Sequence, residues 1–145
     1  MDNLERAQAC ADKIFAGDKA SKALGIEIEI PEVGTAVASM RVREDMLNGF
    51  DICHGGLLFA LADTAFAFAC NAYNDVTVAG SGTIEFLRPV FAGDELRAVA
   101  LEEHHGRRGG VYAVEVVNQR DEFVALFRGR SISRGECLLD PETDT

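Results

Sequence analysis

From Gly55 to Tyr73 the chain carries no charge except Asp63. The run is apolar, rich in alanine and too long for a strand, which predicts one helix buried on every side. The pattern on either side is different. Leu4, Ala7, Ala11 and Ile14 recur at helical spacing between a capping Asp2 or Asn3 and a terminating Gly17, predicting a helix over Asp2 to Gly17. Ile26, Ile28 and Ile30 alternate with Glu27 and Glu29, which predicts a strand over about Leu24 to Ile30. Pro31 to Gly34 reads as a turn, Thr35 to Val42 as a second strand, and Glu44 to His54, with its Asn48-Gly49 pair, as a loop feeding the helix. Four more strands are expected at about Val76 to Arg88, Glu95 to Glu103, Val111 to Asn118 and Phe123 to Ser131. Their separators, Pro89 to Asp94, His104 to Gly110 and Gln119 to Glu122, are short enough to favour antiparallel neighbours.

These elements predict an α+β fold. A curved antiparallel sheet wrapped around one long central helix buries that helix most completely, with the short N-terminal helix added outside. Such a sheet has open edges, so pairing with a second copy is expected. Residues 1–134 make a single domain, and the acidic, polar stretch 135–145 reads as a mobile tail.

Charge narrows the partners. The net charge is −10, with 24 acidic against 14 basic residues, which argues against nucleic acid and anionic membranes because both need a positive field. The Gly55–Tyr73 run approaches membrane-spanning length, but Asp63 at its centre makes a bilayer location costly. The N-terminus lacks the basic and apolar regions of a signal peptide. Cys10, Cys53, Cys70 and Cys137 form no C-x-x-C pair and no zinc spacing with the histidines. The expectation is free thiols in a reducing cytoplasm, with no metal and no cofactor.

Candidate chemistry gathers on the central helix. A lone carboxylate in an apolar run has either a local partner, with Thr64 and Asn71 nearby, or a task as general base or nucleophile. Gly55 and Gly56 let a helix start tightly against another backbone, and they leave its N–H groups open to an oxyanion. Gly55 and Asp63 are eight residues apart, about 12 Å along one helix, too far for one aspartate to serve the same carbonyl carbon. If both act on one substrate, the aspartate comes from the helix of a second subunit. His54 reads either as a donor near the substrate carbonyl or as a cap, and Asn48 as a turn residue or as a group that orients carbonyl or water. Cys53 beside His54 is a poor dyad, because adjacent side chains diverge. Phe59, Phe66 and Phe68 read as core or acyl-pocket residues. Arg88, the Arg107-Arg108 pair, and Arg128 with Arg130 are the local positive features.

Six blocks give a resemblance. They are Leu47-Asn48-Gly49, Cys53-His54-Gly55-Gly56, and Leu61-Ala62-Asp63-Thr64-Ala65-Phe66-Ala67, followed by Thr83-Ile84-Glu85-Phe86-Leu87-Arg88-Pro89, Phe91-Ala92-Gly93-Asp94 and Val124-Ala125-Leu126-Phe127-Arg128-Gly129. Together they resemble the hotdog-fold acyl-CoA thioesterases, most closely the phenylacetic-acid-degradation branch, over about Ala20 to Arg134. The resemblance implies dimers, often paired into tetramers, with active sites at the subunit interface. It implies that Asp63 is the acid, Gly55 the helix-terminal amide, Asn48 the orienting amide, His54 the family's histidine, and Thr64 a contact to water or substrate. The hydroxyl that some relatives place after the helix has no clear counterpart, Ala79 or Ser81 lying nearest. Hydrolysis of aryl-acetyl-CoA is expected, with CoA as part of the substrate and its phosphates near Arg88, Arg107 and Arg108. A thioester dehydratase or hydratase is disfavoured by the missing Phe-Pro-Gly and helix glutamate. A non-catalytic acyl-CoA sensor is disfavoured by the want of room for a regulatory domain.

Overall fold

The structure is a computed structural model and describes residues 1–141. Helix α1, Asn3–Ala16, opens with a capping box: Asp2 accepts from the Glu5 N–H at 2.8 Å and Glu5 reaches back to the Asp2 N–H. A second helix follows at once, α2 (Lys19–Ala23), capped by Asp18 on the Ser21 N–H at 3.0 Å. The hydrophobic pattern does not predict it, because five residues are too few to show a period. The remaining elements are β1 (Glu27–Glu32), β2 (Thr35–Arg41), a 3-10 turn at Glu44–Met46, α3 (Gly55–Cys70), β3 (Thr77–Phe86), β4 (Glu95–Gly106), β5 (Gly109–Val117) and β6 (Phe123–Ser133).

The six strands form one antiparallel sheet in the order β1-β2-β4-β5-β6-β3. All six touch α3, so the sheet must curve around it. Small residues make that approach possible: Ala36 and Ala38 on β2, and Ala98 and Ala100 on β4, are fully buried against the helix side of the core. The helix answers with Leu58, Leu61, Ala62, Ala65, Phe66, Phe68 and Ala69. This is the expected hotdog arrangement, a central helix wrapped by an antiparallel sheet.

Several expectations need correction. The helix ends at Cys70 rather than Tyr73, and it is not buried on every side. Gly56 is exposed, and Phe59, Ala60, Asp63, Thr64 and Ala67 are only half-buried. At helical spacing these six form one stripe that a single chain leaves uncovered. The first strand starts at Glu27, because Leu24 and Gly25 close α2. Pro31 belongs to β1, not to the turn. This is tolerated because β1 is an edge strand whose register shifts between Glu29 and Glu32. The turn itself is Val33-Gly34, with Gly34 at φ 84°. β4 and β5 extend until only Arg107 and Arg108 separate them, so His104 and His105 lie on a strand. The tail is also tied down as far as Leu139. The Val76 N–H donates to the Glu136 carbonyl at 2.8 Å. Asn74 Oδ1 accepts from the Leu138 and Leu139 N–H groups at 2.9 and 2.7 Å, and Leu139 is 5% exposed. Part of the stretch expected to be mobile is thus hydrogen-bonded to the body of the fold, and residues 142–145 lie outside those described.

Candidate active site

The segment before α3 is a closed loop rather than a slack one. Asn48 organises it as the Asn-Gly pair predicts. Its Oδ1 accepts from the Phe50 N–H at 2.9 Å and the Ile52 N–H at 3.4 Å, and its own N–H donates to the Ile52 carbonyl at 2.8 Å. Cys53 N–H donates to the Val90 carbonyl at 2.7 Å and His54 N–H to the Met46 carbonyl at 2.9 Å. These bonds fix where α3 begins. His54 is the N-cap, with Nδ1 accepting from the Gly56 N–H at 3.0 Å. The His54 carbonyl takes the Leu57 and Leu58 N–H groups at 2.9 and 3.3 Å. Among the described residues, none of these loop and cap bonds takes up the Gly55 N–H, so that donor is left at the positive end of the helix dipole.

Gly55 opens into a cleft of about 440 Å³. Asn48 and Arg88 stand at the same cleft, and Ile52, Leu58, Phe86 and Val90 supply apolar walls. Gly55 has no spare room on its Cβ side, where an added Cβ would stand 3.1 Å from the tip of the Phe86 ring.

Asp63 lies two turns further on, in the open stripe of α3, and does not line this cleft. Among the described residues no hydrogen bond or ion pair reaches its carboxylate, and burial raises its pKa above the ordinary value. Asp94 shows the contrasting case. It is buried, but its two oxygens take the Phe91 N–H and the Gln119 side-chain amide, each at 2.9 Å. The Thr64 hydroxyl donates to the Ala60 carbonyl at 2.6 Å, so its proton is committed to its own helix. Neither Thr64 nor Asn71 satisfies Asp63. The Asn71 amide instead ties the end of α3 to Thr77, through the Thr77 N–H at 2.9 Å and the Thr77 carbonyl at 3.1 Å.

The structure brings Asn48, His54, Gly55 and Arg88 together at one end of α3 and leaves Asp63 and Thr64 apart from them. The Arg88 guanidinium is engaged by the Phe123 carbonyl at 2.8 Å and by Glu122 at 3.8 Å. Arg107 and Arg108 are at the other end of the sheet. The Arg108 carbonyl accepts from Ser133 N–H, and Ser133 pairs with Thr77, the first residue of β3. The ten residues of β3 put about 30 Å between that end and the cleft. Cys53 is buried, and burial with the nearby Asp94 charge pushes its thiol up to about 11, the environment of a structural thiol. Phe66 and Phe68 are core residues, whereas Phe59 stands over β3 and meets Phe127 edge-on at 5.3 Å. The contact of Phe86 with Gly55 is one that sequence reasoning misses. Residues 31 positions apart on different elements leave no periodic trace of such a meeting.

Comparison with known proteins fits this geometry. The family model described as thioesterase superfamily matches residues 50–125, spanning the loop tip, α3, β3, β4 and β5. The acyl-coenzyme A thioesterase PaaI of Escherichia coli (strain K12) is 53% identical over 121 residues, covering 83% of this chain and 86% of that protein. The solved structure of the E. coli PaaI protein from the phenylacetic acid degradation operon superposes with a TM-score of 0.91 at 48% identity, over 94% of this chain and 99% of that one. A variant of the phenylacetic acid degradation protein PaaI from Thermus thermophilus gives a TM-score of 0.75 at 40% identity, over 81% and 99%. With its fold, its open helix terminus and these relatives in agreement, the chain belongs to the thioesterase superfamily and is a thioester hydrolase.

Proposed function

We propose that this chain hydrolyses acyl-CoA thioesters, aryl-acetyl-CoA in particular, to the free acid and CoA, at sites shared between two subunits. The observation that carries the reading is the state of Asp63. A half-buried carboxylate with no partner among the described residues, on a helix face that a single chain leaves open, is unexplained as a structural group. An antiparallel second copy of α3 laid along that stripe would bring Asp63 of the partner subunit towards the Gly55 amide. The Gly55 N–H then receives the developing oxyanion, with Asn48 or the free edge of His54 as further donors. Asp63 takes a proton from water as it attacks the thioester carbon, or attacks that carbon itself to give an anhydride that water then opens. In either route the sulfur leaves as the CoA thiol after gaining a proton. Thr64, whose hydroxyl proton goes to the Ala60 carbonyl, would hold water through its remaining lone pairs.

Antiparallel pairing of two β3 edges would also bring the Arg107-Arg108 turn of each chain towards its partner's cleft, where, with Arg88, it would meet CoA phosphates. The CoA moiety follows the acyl-coenzyme A thioesterase at 53% identity, and the aryl preference follows the protein of the phenylacetic acid degradation operon at 48%. A dimer paired into a tetramer, the cytoplasm as location, and catalysis without metal or cofactor complete the reading. Among the described residues no helix is long and apolar enough to cross a membrane.

Subunit hybrids test the arrangement. Gly55→Pro removes the amide donor at a position where helices accept proline, and His54 at φ −60°, ψ 131° already has the extended backbone that a following proline requires. Asp63→Asn removes the base. Each variant alone is expected to be inactive. Mixed after subunit exchange, they should recover about a quarter of wild-type turnover, because each heterodimer holds one intact site. A mixture as dead as its parents, with exchange verified by mass, would place both groups in one chain and end the shared-site reading.

A further inference from the structure

The cleft holds one side chain whose position has no structural explanation. Phe86 is the last residue of β3, and its backbone neighbourhood is fixed. The Leu87 and Arg88 N–H groups both donate to the Val124 carbonyl, at 2.9 and 3.4 Å, and the Arg88 guanidinium donates to the Phe123 carbonyl. The ring is not fixed. It is 53% exposed, outside the core cluster, and forms none of the chain's aromatic pairs among the described residues. Yet its tip lies where a Cβ of Gly55 would be, 3.1 Å away. A hydrogen-bonded main chain therefore carries an exposed, unpaired aromatic ring beside the open Gly55 amide. The rest of the wall there, Leu58, Val90 and Ile52, is aliphatic.

We propose that Phe86 is a specificity-determining residue: its ring is the wall on which the acyl group lies while the carbonyl meets the Gly55 amide, and it selects a flat aryl group over a linear chain. The inference rests on the thioesterase reading above and adds the residue that reads the acyl group. A planar ring offers a second ring offset-stacked or edge-to-face contact, which a flexible alkyl chain matches only in part. Two side-chain torsions are enough to swing the ring aside when substrate enters. The glycine at position 55 has a second purpose on this view. A Cβ there would press on the ring tip at 3.1 Å and oblige it to give way by a few tenths of an ångström.

The test compares phenylacetyl-CoA with hexanoyl-CoA by thiol release, in wild type, Phe86→Tyr, Phe86→Leu and Phe86→Ala, with light scattering on every preparation. The expected result is a fall of about threefold to tenfold in the ratio of the two kcat/KM values for Phe86→Ala and Phe86→Leu. Phe86→Tyr should keep the wild-type ratio, and assembly should be unchanged. An unchanged ratio in both Leu and Ala variants overturns the proposal. So does an equal loss on both substrates accompanied by dissociation, which would make Phe86 an interface residue instead. If Phe86→Ala does not fold, the Leu and Tyr variants decide. A wild type that releases thiol from neither substrate removes the thioesterase reading itself, and that failure is visible before any variant is measured.

Discussion

The two edges of the sheet are built to opposite rules. β1 is short, carries Glu27, Glu29, Glu32 and Pro31, and is flanked by α1, whose Gln8 side chain donates to the Ile30 carbonyl at 3.3 Å. Charge, proline and cover are the usual defences of an edge against another strand. β3 has none of them over most of its length. It runs ten residues with Glu85 as its only charge, exposes Val78 at 42%, and has Phe59 of the open α3 stripe standing over Gly82. A strand left unguarded next to an unpaired carboxylate and an unpaired amide is the face that the shared-site proposal pairs with a second copy. The guarded edge shows that this chain can close an edge when closure is wanted.

The comparison can be broken directly. Val78→Lys combined with Thr83→Lys gives β3 a charged edge, as the glutamates give β1, though of opposite sign. If the proposed shared site holds, the chain should fold but stay monomeric by sedimentation, and thiol release should drop to background. Asp63→Asn comes next. Turnover is expected to fall by about 10² to 10⁴ while assembly persists. This variant also carries a pH signature. Burial holds the folded-state carboxyl above its unfolded value, so its contribution to stability is complete below the unfolded pKa, about 3.9, and is lost as pH rises through the folded one. At neutral pH the charged form is a burden, and Asp63→Asn should melt higher than wild type, with the difference vanishing in acid. For the same reason the wild-type rate should climb with pH around a midpoint above that of an ordinary aspartate. The smallest effect belongs to the guarded edge. Glu29→Lys on β1 should leave assembly and kcat/KM within twofold of wild type, and a loss there would undo the distinction between the edges.

Much of this was legible beforehand, for identifiable reasons. Alternation exposed the strands, and the uncharged run exposed α3, because burial imposes a period on the chain. Asp63 stood out as the one charge in that run, and the distance from Gly55 to Asp63 is fixed by helix geometry alone. The turn chemistry of Asn48-Gly49 was likewise local. What escaped is what depends on closure in space. Pro31 reads as a turn until β1 is known to be an edge. The tail reads as loose until Asn74 is seen to hold Leu138 and Leu139, more than sixty residues away in sequence. A helix expected to be wrapped on every side proved open along one stripe, since an apolar run does not record how far the same chain covers it. Phe86 against Gly55 belongs to the same class.

The order in which strands are made differs from the order in which they pair. β3 hydrogen-bonds within the sheet only to β6, which leaves the ribosome last. While β4 and β5 are being synthesised, β3 has α3 to rest on but no strand to pair with, and an unpaired strand edge in a nascent chain invites misassembly. Its composition suits the wait: Gly80, Ser81, Gly82 and Thr83 occupy its middle, small and polar residues that adhere weakly to other chains. The same plainness that leaves this strand available to a finished partner keeps it from sticking to unfinished ones.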